Sequence, residues 1–193
     1  MELQSRATEQ FAQHMETVAM AAPGLSEQLA AAAERLVRTF VQGGKVLCSG
    51  TGAGALLARH FADLMLHCFE RDRLALPAMT LSNVDFGYEQ EASGNALPRQ
   101  LAALGRPGDV LLLVSSGAGD ELQQAIAAAH ERELSVVALT GHQQEEQTRR
   151  TLLDQDDIVL SVQSENHARV LEVQLTTLHI LCDLIDTQLL GSP

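Results

Sequence analysis

The sequence predicts an α/β domain in which a parallel five-stranded sheet is sandwiched by helices. Three observations predict it. Five short, nearly uniform apolar runs punctuate the chain from Val46 onward. Stretches with the three- and four-residue spacing of helices separate most of them. Two of the runs end in glycine-rich turns that lead into such stretches. Uniformly apolar strands are the mark of sheets buried on both faces, which are usually parallel. The composition agrees: 193 residues, 46% hydrophobic and 20% charged, is the make-up of one globular domain able to bury a core. With 3% aromatics and no Trp, that core must be aliphatic.

Taken in order, the first 42 residues read as two helices. Phe11, Met15, Val18 and Ala22 recur at helical spacing, and Pro23-Gly24 is expected to break the chain. Ser26 then caps a second helix carrying Leu29, Leu36, Phe40 and Val41, which Gly43-Gly44 stops. No strand separates these helices, so they are free to pack on a neighbouring subunit, and an oligomer is expected. Val46–Ser49 is the first strand, ending in Gly50-Thr51-Gly52-Ala53-Gly54, with a helix through His60 to Cys68. Pro77–Leu81 is the second strand, and the polar segment Ser82–Asn95 reads as loop with some helix. Asp109–Val114 is the third strand, followed by Ser115-Ser116-Gly117-Ala118-Gly119 and a helix to Arg132. Ser135–Leu139 and Ile158–Val162 are the fourth and fifth strands, and a long helix from about His167 to Leu189 closes the chain. No linker or repeat interrupts residues 1–193, so they form a single domain: a helical pair (1–42) and an α/β core (43–193).

A net charge of -12 and a pI near 4.9 exclude broad binding to phosphate backbones, so no direct nucleic-acid partner is expected. A local anion site remains open, because a few aligned backbone N–H groups can hold a phosphate. The three cysteines, Cys48, Cys68 and Cys182, lack metal-type spacing and read as reduced core residues of a cytoplasmic protein. The opening residues lack the basic and apolar regions of a signal peptide, and no run of about 18 apolar residues suggests a membrane partner.

In a parallel sheet the ligand crevice lies at the carboxyl ends of the strands. Both glycine-rich turns fall there. Thr51, Gly52, Ala53 and Gly54 are candidate ligand-binding residues, because a strand-to-helix loop can point N–H groups at an anion. The same string partly fits a dinucleotide fingerprint. However, Glu70 and Asp72, at the right spacing for its acid, precede the second strand, and Asp85 is too far along. A tight turn that needs glycine for close packing is the alternative. Ser115, Ser116, Gly117 and Gly119 form the second candidate loop, with serine hydroxyls suited to phosphate or to helix capping. Two such loops at neighbouring strand ends point to a sugar phosphate.

Longer motifs extend these signals. Gly43-Gly44-Lys45-Val46-Leu47, Arg59-His60-Phe61-Ala62, Ala103-Leu104-Gly105-Arg106-Pro107-Gly108-Asp109-Val110 and Leu181-Cys182-Asp183-Leu184-Ile185-Asp186 run in register from about residue 36 to the end. They resemble the sugar isomerase (SIS) domain family, in the group of phosphoheptose isomerases and the DnaA initiator-associating protein. The resemblance implies a flavodoxin-like five-stranded sandwich and a homotetramer. It implies one of two functions. Isomerases of the group convert sedoheptulose 7-phosphate to a heptose 7-phosphate. The initiator-associating protein works in replication through protein contacts, with DnaA as a partner.

The resemblance also assigns residues. His60 and His179 match two histidines of the group's pocket. Leu64 and Leu171 stand where a glutamate and a glutamine complete it, and where some members bind zinc. Two histidines are too few for a tight zinc site, so no metal or other cofactor is expected. Asp63 is one position, about 100°, from the lost glutamate. The best remaining proton-transfer set is His179 and His60 with Glu172, or with Asp183 one turn on. The expectation is therefore a diverged SIS protein that binds or assembles, with the active isomerase as the alternative. A phosphosugar-sensing regulator would need a helix-turn-helix domain for which this chain has no room.

Overall fold

The computed structural model describes residues 2–82, 96–115, 121–142 and 156–192. The described chain runs α1 (Leu3–Val41), β1 (Val46–Gly50), α2 (Gly54–Leu66), β2 (Ala78–Thr80), α3 (Ala96–Leu104) and β3 (Val110–Val114), then α4 (Glu121–His130), β4 (Ser135–Gly141), β5 (Ile158–Val162) and α5 (His167–Leu190). The five strands form one all-parallel sheet in the order β2-β1-β3-β4-β5. The expected α/β sandwich is thus the observed fold.

The expected helical pair is instead one helix, with Pro23 inside it. The reason is burial. Ala21, Leu25, Leu29, Ala32, Ala33 and Leu36 form one buried stripe that continues through Pro23 and packs on α5. An interior proline costs about 3 kcal/mol. Burying two or three aliphatic side chains at about 1.5–3 kcal/mol each exceeds that. Ser26 caps nothing; its hydroxyl donates to the Ala22 carbonyl one turn back, at 2.7 Å.

The strand ends differ by one or two residues from the expected ones, for visible causes. Asp109 stays outside β3 because its carboxylate accepts the N–H groups of Lys45 and Arg106, each at 2.9 Å, and the Lys45 ammonium. β4 runs on to Gly141 because Thr140 and Gly141 pair with Ser161 and Val162 of β5. Residues 83–95, most of the expected polar loop, lie outside the described residues.

Alternating side chains divide the core in two. Val46, Cys48, Val110, Leu112, Val114, Val137 and Leu139 face α1, α2 and α5. Leu47, Leu111, Leu113, Val136 and Ala138 face α3 and α4. Cys48 and Cys182 are buried as expected, and burial pushes both thiols up, Cys182 to about 12. Cys68 is exposed, contrary to expectation, because it lies past the end of α2 in the irregular segment leading to β2.

That segment is anchored by Arg73. Its guanidinium donates to the Asp186 carboxylate at 2.6 Å and to the carbonyls of Leu64 and Met65 at 3.0 and 2.9 Å. Both charged side chains are 2% exposed. The C-terminal carbonyls of α2 are thereby tied to α5. At its other end, α5 is capped by Asn166, whose side chain accepts the Ala168 N–H at 3.0 Å.

Candidate functional site

β1 pairs with β2 on one side and β3 on the other, so the sheet's direction of growth reverses at β1/β3. In this topology the crevice outside the carboxyl ends of those strands is where ligands bind. The loops that leave β1 and β3 meet there. The Thr51 and Ser115 hydroxyls lie 2.7 Å apart, and the Thr51 N–H donates to the Val114 carbonyl at 3.0 Å. Glycine makes this approach possible. A Cβ on Gly54 would fall 2.3 Å from the Val114 carbonyl oxygen, and one on Gly50 would fall 2.5 Å from the Gly54 backbone. Gly52 has φ +54, a left-handed conformation that side chains disfavour.

The N–H groups of Gly54, Ala55 and Leu56 are used within the loop, donating to the carbonyls of Thr51, Gly52 and Ala53. Among the described residues, no hydrogen bond engages the N–H groups of Gly52 and Ala53. Those two amides and the paired hydroxyls are what this rim offers an anion. Ser116, Gly117 and Gly119, the rest of the second candidate loop, lie outside the described residues.

Ser115 is held from several directions. Its N–H donates to the Leu139 carbonyl and its carbonyl accepts from the Gln174 side chain, each at 2.9 Å. Gln174 stands on the buried face of α5 with no exposure, and its Oε1 has no partner among the described residues.

The two candidate histidines come together. His60, from the second turn of α2, and His179, from the middle of α5, approach through their Nε2 atoms at 2.9 Å, with ring planes 66° apart. Phe69 also lies against His179, its ring centroid 5.3 Å away. Desolvation, then the nearness of His60, lowers the pKa of His179 below its ordinary 6.5, while Glu70 pulls it back up. His179 is therefore neutral at pH 7. An Nε2-to-Nε2 hydrogen bond needs one nitrogen as donor and the other as acceptor. Proton exchange with a ligand must then pass through a ring Nδ1, and neither Nδ1 has a partner among the described residues.

The acids stand elsewhere. Glu172 accepts from Arg169 at 2.6 Å and meets His14 Nδ1 of α1 at 2.7 Å. Seven residues along a helix is about 10 Å, too far for a side-chain bond to His179. Asp183 is exposed. Asp63 faces solvent beside Arg59, 3.9 Å away. Leu64 packs against the core instead of supplying a donor. No group of three or more His, Cys, Asp or Glu among the described residues is placed to hold a metal. Among the described residues His60 and His179 alone do not make a three- or four-ligand zinc site, so those residues by themselves do not fit that ion.

Sequence reasoning did not single out Gln174, Phe69 or Arg73. For Gln174 a signal existed: with Val170, Val173, Thr177 and Leu178 it keeps the spacing of the buried face, where a primary amide is unusual. Phe69 and Arg73 sit in an irregular segment without periodicity, so nothing local marked them.

Comparison with known proteins agrees with this geometry. The pattern of the SIS domain family matches residues 9–141. A phosphoheptose isomerase from Chromohalobacter salexigens is 39% identical, over 100% of this chain and 99% of its own. One from Thiobacillus denitrificans is 38% identical, over 99% and 98%. The structure of a phosphoheptose isomerase from Francisella tularensis superposes with a TM-score of 0.86 at 32% identity, covering 97% of this chain and 100% of that one. The likeness therefore reaches into α1, beyond the motifs that begin near residue 36. No described helix is long and apolar enough to cross a membrane. On its strand order, its β1/β3 rim and these full-length similarities, the chain belongs to the SIS-domain family.

Proposed function

We propose that the chain is a sugar-phosphate isomerase of the phosphoheptose kind. The observation that carries this reading is the His60–His179 pair, joining α2 to α5 through the two Nε2 atoms, with the His179 pKa lowered by burial. The names of the full-length relatives support it over a purely protein-binding role. In this reading the Thr51–Ser115 rim and the amides of Gly52 and Ala53 take the phosphate. His60 stands about 9 Å along α2 from Gly54, at 1.5 Å per residue, which suits the length of an extended sugar chain. A free Nδ1 of the pair removes the proton from the carbon beside the ketose carbonyl. The carbonyl oxygen takes up a proton to give the enediol, which is then protonated on the former carbonyl carbon as the other hydroxyl gives up its proton, and the aldose results. Incubation with sedoheptulose 7-phosphate tests this: an aldose phosphate should form, and H179A should abolish it.

Leu64 favours a second reading, because hydrocarbon occupies the place of the group's glutamate. The chain would then bind a sugar phosphate without turnover and act through protein contacts, as the DnaA initiator-associating protein does. Binding without turnover at millimolar substrate selects that reading. Exposed Phe11, Met15 and Met20 on α1, beside an apolar groove of about 250 Å³ between α1 and α5, support self-association, which light scattering would measure.

A further inference from the structure

We propose that Gln174 is a positioning residue that sets the anion rim through Ser115. The proposal rests on the reading of the β1/β3 rim as a phosphate site.

Gln174 is fully buried in the middle of α5. Its neighbours on that face, Val170, Val173, Leu178 and Leu181, are apolar. A buried acceptor without a partner costs about 1–3 kcal/mol, and Gln174 Oε1 has none among the described residues. Leucine or methionine is close to glutamine in size and would remove that orphaned oxygen, while taking away the donor that the buried Ser115 carbonyl accepts. Packing alone therefore gives no reason for an amide here.

The other end of the amide supplies a reason. Nε2 donates to the Ser115 carbonyl at 2.9 Å. Ser115 is the first residue beyond β3, and its N–H is already fixed to Leu139. With the carbonyl also held, the peptide plane after Ser115 has a set direction, and the hydroxyl is delivered to Thr51 at 2.7 Å. Among the described residues Gln174 bonds to the rim at the Ser115 carbonyl, not at a hydroxyl or amide offered to a ligand; it acts through Ser115. It also sits five residues before His179, about 7.5 Å along the same helix, so it fixes the rim relative to the histidine pair.

The test uses the full chain with Q174L and, as a second variant of different shape, Q174M. Both are expected to melt near the wild-type temperature, because the orphaned Oε1 is gone while the Ser115 carbonyl loses its donor, and the two costs are similar. Amide exchange should quicken at Ser115 and across Thr51–Ala53. The Kd for inorganic phosphate and for sedoheptulose 7-phosphate should rise about tenfold, the loss expected for one directed hydrogen bond. If the wild type binds both probes and the variants match it in exchange and Kd, the proposal is overturned. A fall in melting temperature that parallels the loss of binding also overturns it, since that is the mark of a structural role. If the wild type binds neither probe, the phosphate-site reading fails, and the exchange data alone decide whether Gln174 orders Ser115.

Discussion

His60 and His179, 119 residues apart in the chain, share one hydrogen bond of 2.9 Å between their Nε2 atoms. The bond spans two helices, and each ring is the other's partner. Desolvation, then the nearness of His60, disfavours protonation of His179. NMR titration should place the His179 midpoint below 6.5. H60A should raise it toward that value, and E70Q should lower it further, since Glu70 pulls upward. A rise in E70Q would contradict the assignment.

The same shift has a sign for stability. The unfolded histidine binds its proton near pH 6.5, and the folded one only at lower pH. Between those two values the unfolded state holds more protons, so this contribution to stability is lost as pH falls through that window. It is fully present above about pH 7. Urea midpoints measured from pH 7 down to pH 5 should decline less in H179A than in wild type.

Replacing Gly54 with alanine drives a Cβ to 2.3 Å from the Val114 carbonyl, and backbone cannot swing away as a side chain can. G54A should lose about 1–3 kcal/mol or more in urea unfolding, the usual penalty of overpacking. G43A, where nothing lies within 4 Å but φ is +80, should lose less.

The hydroxyl pair at the rim can be tested by deletion. S115A and T51V should each weaken sugar-phosphate binding by about 1.5–3 kcal/mol, roughly 10- to 150-fold, if the hydroxyls meet a charged group. Calorimetry with sedoheptulose 7-phosphate reads this out. An unchanged affinity in both variants would move the phosphate away from this rim.

Arg73 and Asp186 form an ion pair that water hardly reaches. R73A strands the carboxylate and frees the carbonyls of Leu64 and Met65, so it should cost about 3–5 kcal/mol. The double variant R73L/D186L should recover much of that loss, which thermal unfolding would show.

The five strands were legible because strands buried on both faces leave continuous apolar runs such as Val110–Val114. The α1 break was misread because Pro23-Gly24 is a strong local stop, and only burial of Leu25 and Leu29 against α5 overrides it. His60, His179, Thr51 and Ser115 could each be named from motif and loop position. That they pair as His60–His179 and Thr51–Ser115 is tertiary information. Glu172 looked available to His179 on helical spacing, but its carboxylate reaches across to His14 of α1. Gln174 was passed over because a single amide within an apolar stretch carries no signal about what it reaches.

α5 is a single uninterrupted helix, and it presents Gln174, His179 and Asp186 in that order. A helix is a stiff ruler. The loop tether, the imidazole and the ion pair hang from it at set intervals, and none can slide without carrying the others. A change made at the Asp186 end, far from any bound phosphate, should therefore be felt as a misplaced serine at the opposite end. Tolerance of substitution along this rod is governed by its axial position as much as by what each side chain touches.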